Sequence, residues 1–420
     1  MKNFTGQLIA GLLPLGARSS HAQASAFVRS RMARSSLSVA GTVSLRMAGW
    51  LVALVLSGVP AGAAVTNHVV ILVMDGARYT ETWGDPAHAN IPQIATNLAR
   101  RGVVLTNFYT DITLVGGATE TNPGHATLAC GAYQDIANDG TELPNLPTLF
   151  QYYRQQKAAP SNSVWVVTSK DKLVVLADSA AAGWNNQFRP RFSCGVNGDG
   201  TGGYRADSLT HAIARAVLTN DRPAVMIINY KDPDSMGHAN NWSGYLAAIK
   251  TVDGYAADLW AIIQADPVLK DTTTLFITND HGRHTSNFVS HGDACEGCRH
   301  LLCVVVGPGL KTNHISGIRR TQPDIARTAA DLLTVTMPTA TGQVMSELYQ
   351  PPEMLAQTVA ANGTLVISWP AAGPGYTLRV NSDLSATGWT VAPEMPQPVG
   401  LQMQVVVSPT NGRAFYRLGK

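Results

Sequence analysis

Three aspartates of this 420-residue chain stand at the ends of apolar runs: Asp75 closes VVILVMD, Asp234 follows VMIINYKDPD, and Asp280 closes LFITND. Histidines accompany two of them. His238 lies four residues after Asp234 in DPDSMGH, a spacing that lets both side chains reach one ion; His281 adjoins Asp280 in NDHG, and His291 follows in SHGD. Carboxylate oxygen combined with imidazole nitrogen suits zinc or a similar transition ion and serves calcium poorly, since calcium prefers oxygen alone. Three Asp and three His divide into two sites of about three protein ligands each, and a nearby hydroxyl or thiol could complete one of them. Two metals roughly 3.5–4 Å apart can clamp the attacking and leaving oxygens of an in-line displacement.

The hydroxyl comes from TETNPGHATLACG, residues 119–131. Pro123 suits the first turn of a helix, where its missing N–H has no partner, and Asn122 or Thr121 is a good residue for the position just before that turn. A helix beginning there aims free N–H groups at whatever lies in front of Thr121, and such a start favours anions, phosphate among them. Thr121 is the hydroxyl that fits the two-metal arrangement.

The elements that must position these groups alternate along the chain. Strand-length apolar runs at 68–75, 164–169, 224–230, 274–280 and 301–307 are separated by helical patterns near 92–101, 205–219, 243–264 and 323–334. This alternation predicts an α/β fold with a mostly parallel sheet covered by helices on both faces. In such a sheet ligands bind outside the carboxyl ends of the strands, so the three aspartates should gather on one rim. From about residue 353 the texture changes to short strands, TLVISW, YTLRVN, LQMQVVV and AFYRL, broken by Gly, Pro, Asn and Ser. A small C-terminal antiparallel β-sandwich is expected there, over 351–420, as an accessory module. Residues 65–350 form the expected catalytic domain.

Composition narrows the partners. With 45% hydrophobic and 14% charged residues the chain is globular, and a net charge of +3 gives no nucleic-acid-binding signature. Residues 1–64 read as an upstream segment and a secretory signal peptide at about 46–63: Arg46, an apolar run from Trp50 to Val59, then Ala61 and Ala63 at the spacing a signal peptidase reads. That predicts a secreted or periplasmic protein with a mature start near Ala64 and no membrane span after signal removal, the run being too short for one. Five cysteines are compatible with one or two disulfides, with at least one thiol left over. The CEGC pair suggests only a weak zinc-ribbon reading with His291 and His300, because no second C-x-x-C completes it.

VMDGAR, TNPGHATLACG, DPDSMGH, TNDHG and HGD…VVVGPGL stand in the order and spacing typical of the alkaline phosphatase superfamily, and over about residues 66–348 the chain resembles its type I phosphodiesterase/nucleotide pyrophosphatase branch and the related threonine-nucleophile phosphatases. The resemblance implies an alkaline-phosphatase-like fold and two zinc ions, one surrounded by Asp75, Thr121, Asp280 and His281, the other by Asp234, His238 and His291. It implies an exported hydrolase cleaving small phosphate esters, in first place monoesters, through a phospho-threonine at Thr121. The alternatives are a phosphodiesterase or nucleotide pyrophosphatase, a phosphonate- or sulfate-ester hydrolase, and an anion-binding relative without turnover. Ordinary sulfatase chemistry is disfavoured because no C/S-x-P-S-R motif occurs.

The same resemblance points to Asn138, in IANDG, as a contact for a phosphoryl oxygen, and to Lys170 and Lys172, in TSKDK, as the cations for another oxygen, with lysine at the second position where relatives carry arginine. His125 is expected behind the nucleophile in a structural role. Only nine residues separate His281 from His291, where nucleotide-cleaving relatives often carry a long insertion, so any cap must come from elsewhere, with 179–204, including Trp184 and Phe188, as the candidate. The C-terminal module is a candidate for binding a surface or glycan.

Overall fold

β1 (His68–Met74) is apolar at nearly every position because it is covered on both faces. In the computed structural model, residues 66–350 are described, together with 355–359, 364–370, 376–383, 388–399, 402–407 and 414–419 of the C-terminal region. The signal peptide expectation falls on residues outside these.

β1 lies inside an eight-stranded sheet with β2 (Gly102–Leu105), β3 (Val164–Thr168), β4 (Arg191–Cys194), β5 (Val225–Tyr230), β6 (Thr273–Thr278), β7 (Cys303–Val306) and β8 (His314–Ser316), in the order β4-β3-β5-β1-β6-β7-β2-β8. The run β4-β3-β5-β1-β6 is parallel throughout, with Val69 opposite Val225 on one side and Thr274 on the other. β7 is the exception and runs antiparallel to both β6 and β2. Its connection from β6 holds only the short α6 (Glu296–Arg299), too little helix for a crossover that would return the chain in the parallel sense.

The strand period of two separates two cores. Val69, Ile71 and Val73 face α1 (Thr121–Cys130), α2 (Leu149–Lys157) and α7 (Pro323–Leu332), with Leu128, Phe150 and Ile325 in the same cluster. Val70, Leu72 and Met74 face α3 (Asp207–Asn220) and α5 (Trp242–Ala265), with Leu218, Ile249 and Leu259. Each such side chain, fully buried, stabilises the fold by about 1.5–3 kcal/mol, which anchors the strand ends that carry the site. The stretch near 92–101 forms a wide π turn over Ile94–Leu98 and a tight 3-10 turn over Ala99–Arg101 in place of a regular helix.

Beyond 350 two small antiparallel sheets follow, one of four strands and one of three. They bury a common core of Ile367, Trp369, Leu378, Ala392, Val405 and Val407, as expected of alternating strands facing each other. All five cysteines are free thiols, so neither of the disulfides the count allows is formed; Cys130, Cys194 and Cys303 are ordinary buried core residues. Among the described residues no helix is long and apolar enough to cross a membrane.

Candidate active site

The carboxyl ends of four neighbouring parallel strands deliver the chemistry. Asp75 follows β1, Lys170 follows β3, α4 (Asp232–His238) opens two residues after β5 and carries Asp234 and His238, and Asp280 with His281 follows β6. The rim is tied together by main chain: Asp75 N donates to Tyr230 O at 3.0 Å and Ser169 N to Asn229 O at 3.1 Å. Thr121 is the first residue of α1, whose ten residues are all buried. Helix α1 starts one or two positions earlier than a cap at Thr121 or Asn122 would place it, since Glu120 precedes Thr121 as a cap residue without a side-chain capping bond. Its Asn122 N–H is taken instead by Asn138 Oδ1 at 2.9 Å.

Around the Thr121 hydroxyl the distances are short. Lys170 Nζ donates to Thr121 Oγ1 at 2.9 Å, to Asp75 Oδ1 at 3.0 Å and to Asp234 Oδ2 at 2.7 Å. His281 Nε2 lies 3.5 Å from Thr121 Oγ1, 3.6 Å from Asp75 Oδ1 and 3.4 Å from Asp280 Oδ2. Asp280 Oδ2 accepts no hydrogen bond from a described residue, although it is buried. On the other side of Asp234, His238 Nε2 and His291 Nε2 stand 3.4 and 3.6 Å from Asp234 Oδ1 and 3.0 Å from each other. Two ring nitrogens and a carboxylate oxygen converging in this way need a cation or a shared proton between them.

The electrostatics match that need. Burial, above all, pushes His281 down to about 3 and His291 down to about 4, and it lowers His238 as well, so all three rings are neutral donors of a lone pair at neutral pH. The second ring nitrogen is occupied where it sets the tautomer: His281 Nδ1 is 2.8 Å from Gly282 O and His291 Nδ1 is 3.0 Å from Thr119 O, so each Nε2 faces the site. Burial opposes the Lys170 charge, but Asp75, Asp234 and Asp280 outweigh it and hold the ammonium well above its ordinary value. Burial would likewise raise Asp234; Lys170, first among the neighbouring charges, holds it well below the usual carboxylate range.

Ligand atoms of Asp75, Asp280 and His281 lie within 4.8 Å of one another, and so do those of Asp234, His281 and His291. These donor sets fit transition-metal ions: neutral imidazoles, carboxylates, an unsatisfied Asp280 oxygen, and an ammonium already drawn in as a positive partner. The structure thus brings together Asp75, Thr121, Asp234, His238, Asp280, His281, His291 and Lys170. Lys172 stands one step back, donating from Nζ to Asn138 O at 2.6 Å and Asn138 Oδ1 at 2.8 Å, while burial, then the Lys170 charge, lowers its affinity for a proton. His125 lies behind Thr121, with Nδ1 2.9 Å from Thr121 O and Nε2 3.1 Å from Asn229 Nδ2.

Two contributors were not visible as site residues in the sequence. Asn229, the penultimate residue of β5, donates to Asp75 Oδ2 at 2.7 Å, and fully buried Arg283 donates to Asp234 Oδ1. Arg283 had a signal, being two residues from His281. Asn229 had none inside its apolar run. The cap expectation is corrected in part: Trp184 stacks edge-on against Tyr152 of α2 at 4.6 Å and Phe188 follows it, so both serve the helix side of the sheet. Only the end of that segment reaches the rim, where the Tyr204 ring sits 5.8 Å from Lys170 Nζ.

A model of the metalloenzyme superfamily matches residues 140–337, the span holding Lys170, Asp234, His238, Asp280, His281 and His291. The fold is shared with the alkaline phosphatase PafA (TM-score 0.51, 13% identity, 68% of this chain and 99% of that one) and with the phosphonate monoester hydrolase SpPMH from Silicibacter pomeroyi (TM-score 0.50, 13% identity, 72% and 85%). The chain has an alkaline-phosphatase-like fold. A curated relative, the 2,3-bisphosphoglycerate-independent phosphoglycerate mutase of Gracilaria tenuistipitata var. liui, is 30% identical over 90 residues, 21% of this chain and only 16% of that relative's length. The two structural neighbours are a phosphatase and a phosphonate monoester hydrolase.

Proposed function

We propose that this chain is an exported, zinc-dependent phosphate-ester hydrolase that works through a covalent phospho-threonine. The observation carrying this reading is the placement of Thr121 Oγ1: at the N-terminus of α1, 2.9 Å from the Lys170 ammonium and 3.5 Å from His281 Nε2, against the carboxylates of Asp75 and Asp234. Asp75, Thr121, Asp280 and His281 would hold one zinc, and Asp234, His238 and His291 the other. Bound there, the ions supply a lowered hydroxyl pKa and positive charge for the oxygens on phosphorus.

The chain's own groups do the rest. Thr121 Oγ1 displaces the alcohol from phosphorus, forming its P–O bond as the ester P–O bond breaks, and water later cleaves the phospho-threonine to release phosphate. Of the first N–H groups of α1, that of Thr121 is the one left for a non-bridging oxygen, since Asn138 takes that of Asn122, Pro123 has none and Gly124 N bonds Glu120 O at 2.9 Å. Lys170 is within reach of a third oxygen, which a monoester dianion leaves charged and a diester does not. Asn138 and Lys172 hold the start of α1 from behind through the Asn122 N–H. Asn229 and Arg283 fix Asp75 and Asp234 by occupying one oxygen of each.

Rates on an aryl phosphate monoester, a diester and a sulfate ester test the substrate class, and monoester turnover should lead. Acid-quenched protein should carry one phosphate at Thr121, found by peptide mass spectrometry; phosphate on another residue, or none with Thr121→Ala still active, refutes the nucleophile. Export follows from the Arg46–Ala63 segment, and N-terminal sequencing of the mature protein should begin near Ala64.

A further inference from the structure

The link between β6 and β7 folds back on itself. Gly282 N bonds Cys298 O at 2.9 Å, Arg283 N bonds Gly297 O at 3.0 Å, and His284 N bonds Ser290 O at 2.8 Å, so the two arms of residues 282–298 run side by side. Four side chains that the hydrolytic site leaves unused gather on this excursion: His284, Asp293, Cys295 and Cys298. His284 Nε2 is 3.1 Å from Asp293 Oδ2, and the ligand atoms of His284, Asp293 and Cys295 all lie within 4.8 Å of one another. The buried Cys298 thiol touches both Asp293 and Cys295. This is a different partner set from His291 and His300, which the C-x-x-C pair brings to mind on the sequence alone. His291 turns into the hydrolytic site, and the His300 ring lies between those of Tyr79 and Tyr109, 3.6 and 4.3 Å away.

We propose that His284, Asp293, Cys295 and Cys298 bind a third zinc ion, a closed structural site separate from the catalytic pair. Two thiolates, an imidazole and a carboxylate make four ligands, the number a tetrahedral structural zinc takes, and thiolate sulfur selects zinc over magnesium, calcium or manganese. The ion forms two bonds to sulfur as the two thiol protons leave to solvent. His284 and Asp293 are partly exposed and give it a way in.

Its place in the fold gives it a task. Asp293 lies two residues from His291, and the same loop grips the segment before the nucleophile: Thr119 Oγ1 donates to Asp293 O at 2.9 Å, Gly292 N donates to Thr119 Oγ1 at 3.0 Å, and His291 Nδ1 meets Thr119 O. Fastening the loop at four points holds His291 and Thr119 in register without a long insertion between His281 and His291.

Elemental analysis of the full chain, purified under reducing conditions with zinc and without chelator, should give about three zinc per chain. Cys295→Ser and His284→Gln should each give about two, with hydrogen-exchange protection of residues 284–298 reduced. Cobalt-substituted protein should show a thiolate-to-cobalt charge-transfer band that Cys295→Ser abolishes. About two zinc in the wild type without that band overturns the proposal and leaves the catalytic pair standing, whereas no zinc at all overturns both. A Cys295–Cys298 disulfide in the unreduced, denatured chain, or three zinc retained in His284→Gln, also overturns it.

Discussion

Lys170→Met removes the ammonium while keeping most of the stem, and the structure says what that costs. The Nζ is paired with two carboxylates at 3.0 and 2.7 Å in a site from which water is excluded. At 3 Å and an effective dielectric of about 20 each pair is worth about 5 kcal/mol before desolvation is subtracted. Breaking a buried pair by removing one partner leaves a net loss of about 3–5 kcal/mol, because the buried Asp75 and Asp234 carboxylates lose the ammonium they share. In a domain of this size each kcal/mol moves the melting temperature roughly 2–4 °C, so metal-free Lys170→Met should melt roughly 6–20 °C below metal-free wild type. With zinc the carboxylates regain a positive partner, and the difference should shrink to the roughly 1 kcal/mol of an ordinary hydrogen bond. On the zinc-loaded enzyme the same variant should lose at least about tenfold in monoester rate beyond its loss on diesters, the 1.5–3 kcal/mol of a charged hydrogen bond to the third oxygen. Calorimetry with and without chelator, paired with both rates, decides it. Equal melting losses in the two conditions and equal rate losses on the two substrates would refute the reasoning.

Chelation should abolish hydrolysis and added zinc restore it; full activity in metal-free protein rules out the two-metal site. Asp234→Ala and Asp280→Ala should each lower the zinc content by about one ion, read by elemental analysis, and unchanged content makes these carboxylates purely structural. Gly124→Ala should lower stability by about 1–3 kcal/mol in chemical denaturation and slow turnover, because a Cβ there would lie 2.5 Å from Asp280 O, wedging α1 and Thr121 away from β6.

What was legible in the sequence was what burial and strand ends dictate. The runs ending at Asp75 and Asp280 are apolar at successive positions because both sheet faces are covered, and that pattern places their ends on one rim. The C-terminal strands were legible from their short alternating texture. What escaped depends on direction within turns and loops. Spacing brings His291 and His300 near CEGC in sequence, but a doubled-back loop turns His291 one way and offers His284 to the cysteines. Trp184 lies in a Gly-rich stretch that reads as a cap, yet Gln151 holds that stretch through the carbonyls of Trp184 and Gln187, on the α2 side. The antiparallel sense of β7 was hidden because an apolar run carries no arrow.

Strand β1 precedes every other strand of the sheet in the chain, yet both its partners are made far later. Val69 finds its neighbours at Val225 and Thr274, so the rim cannot exist until the chain has been made past β6, and His291 comes later still. Such distant pairing is slow, since the entropy of closing a long loop is spent before any contact returns it. A cation at the rim therefore could not template this sheet from a short nascent segment, as it does in a zinc finger; it would bind to a finished sheet. During that interval the apolar β1 waits with both edges open, the period in which the chain is most exposed to aggregation, and the rate at which β5 and β6 reach it sets how long that period lasts.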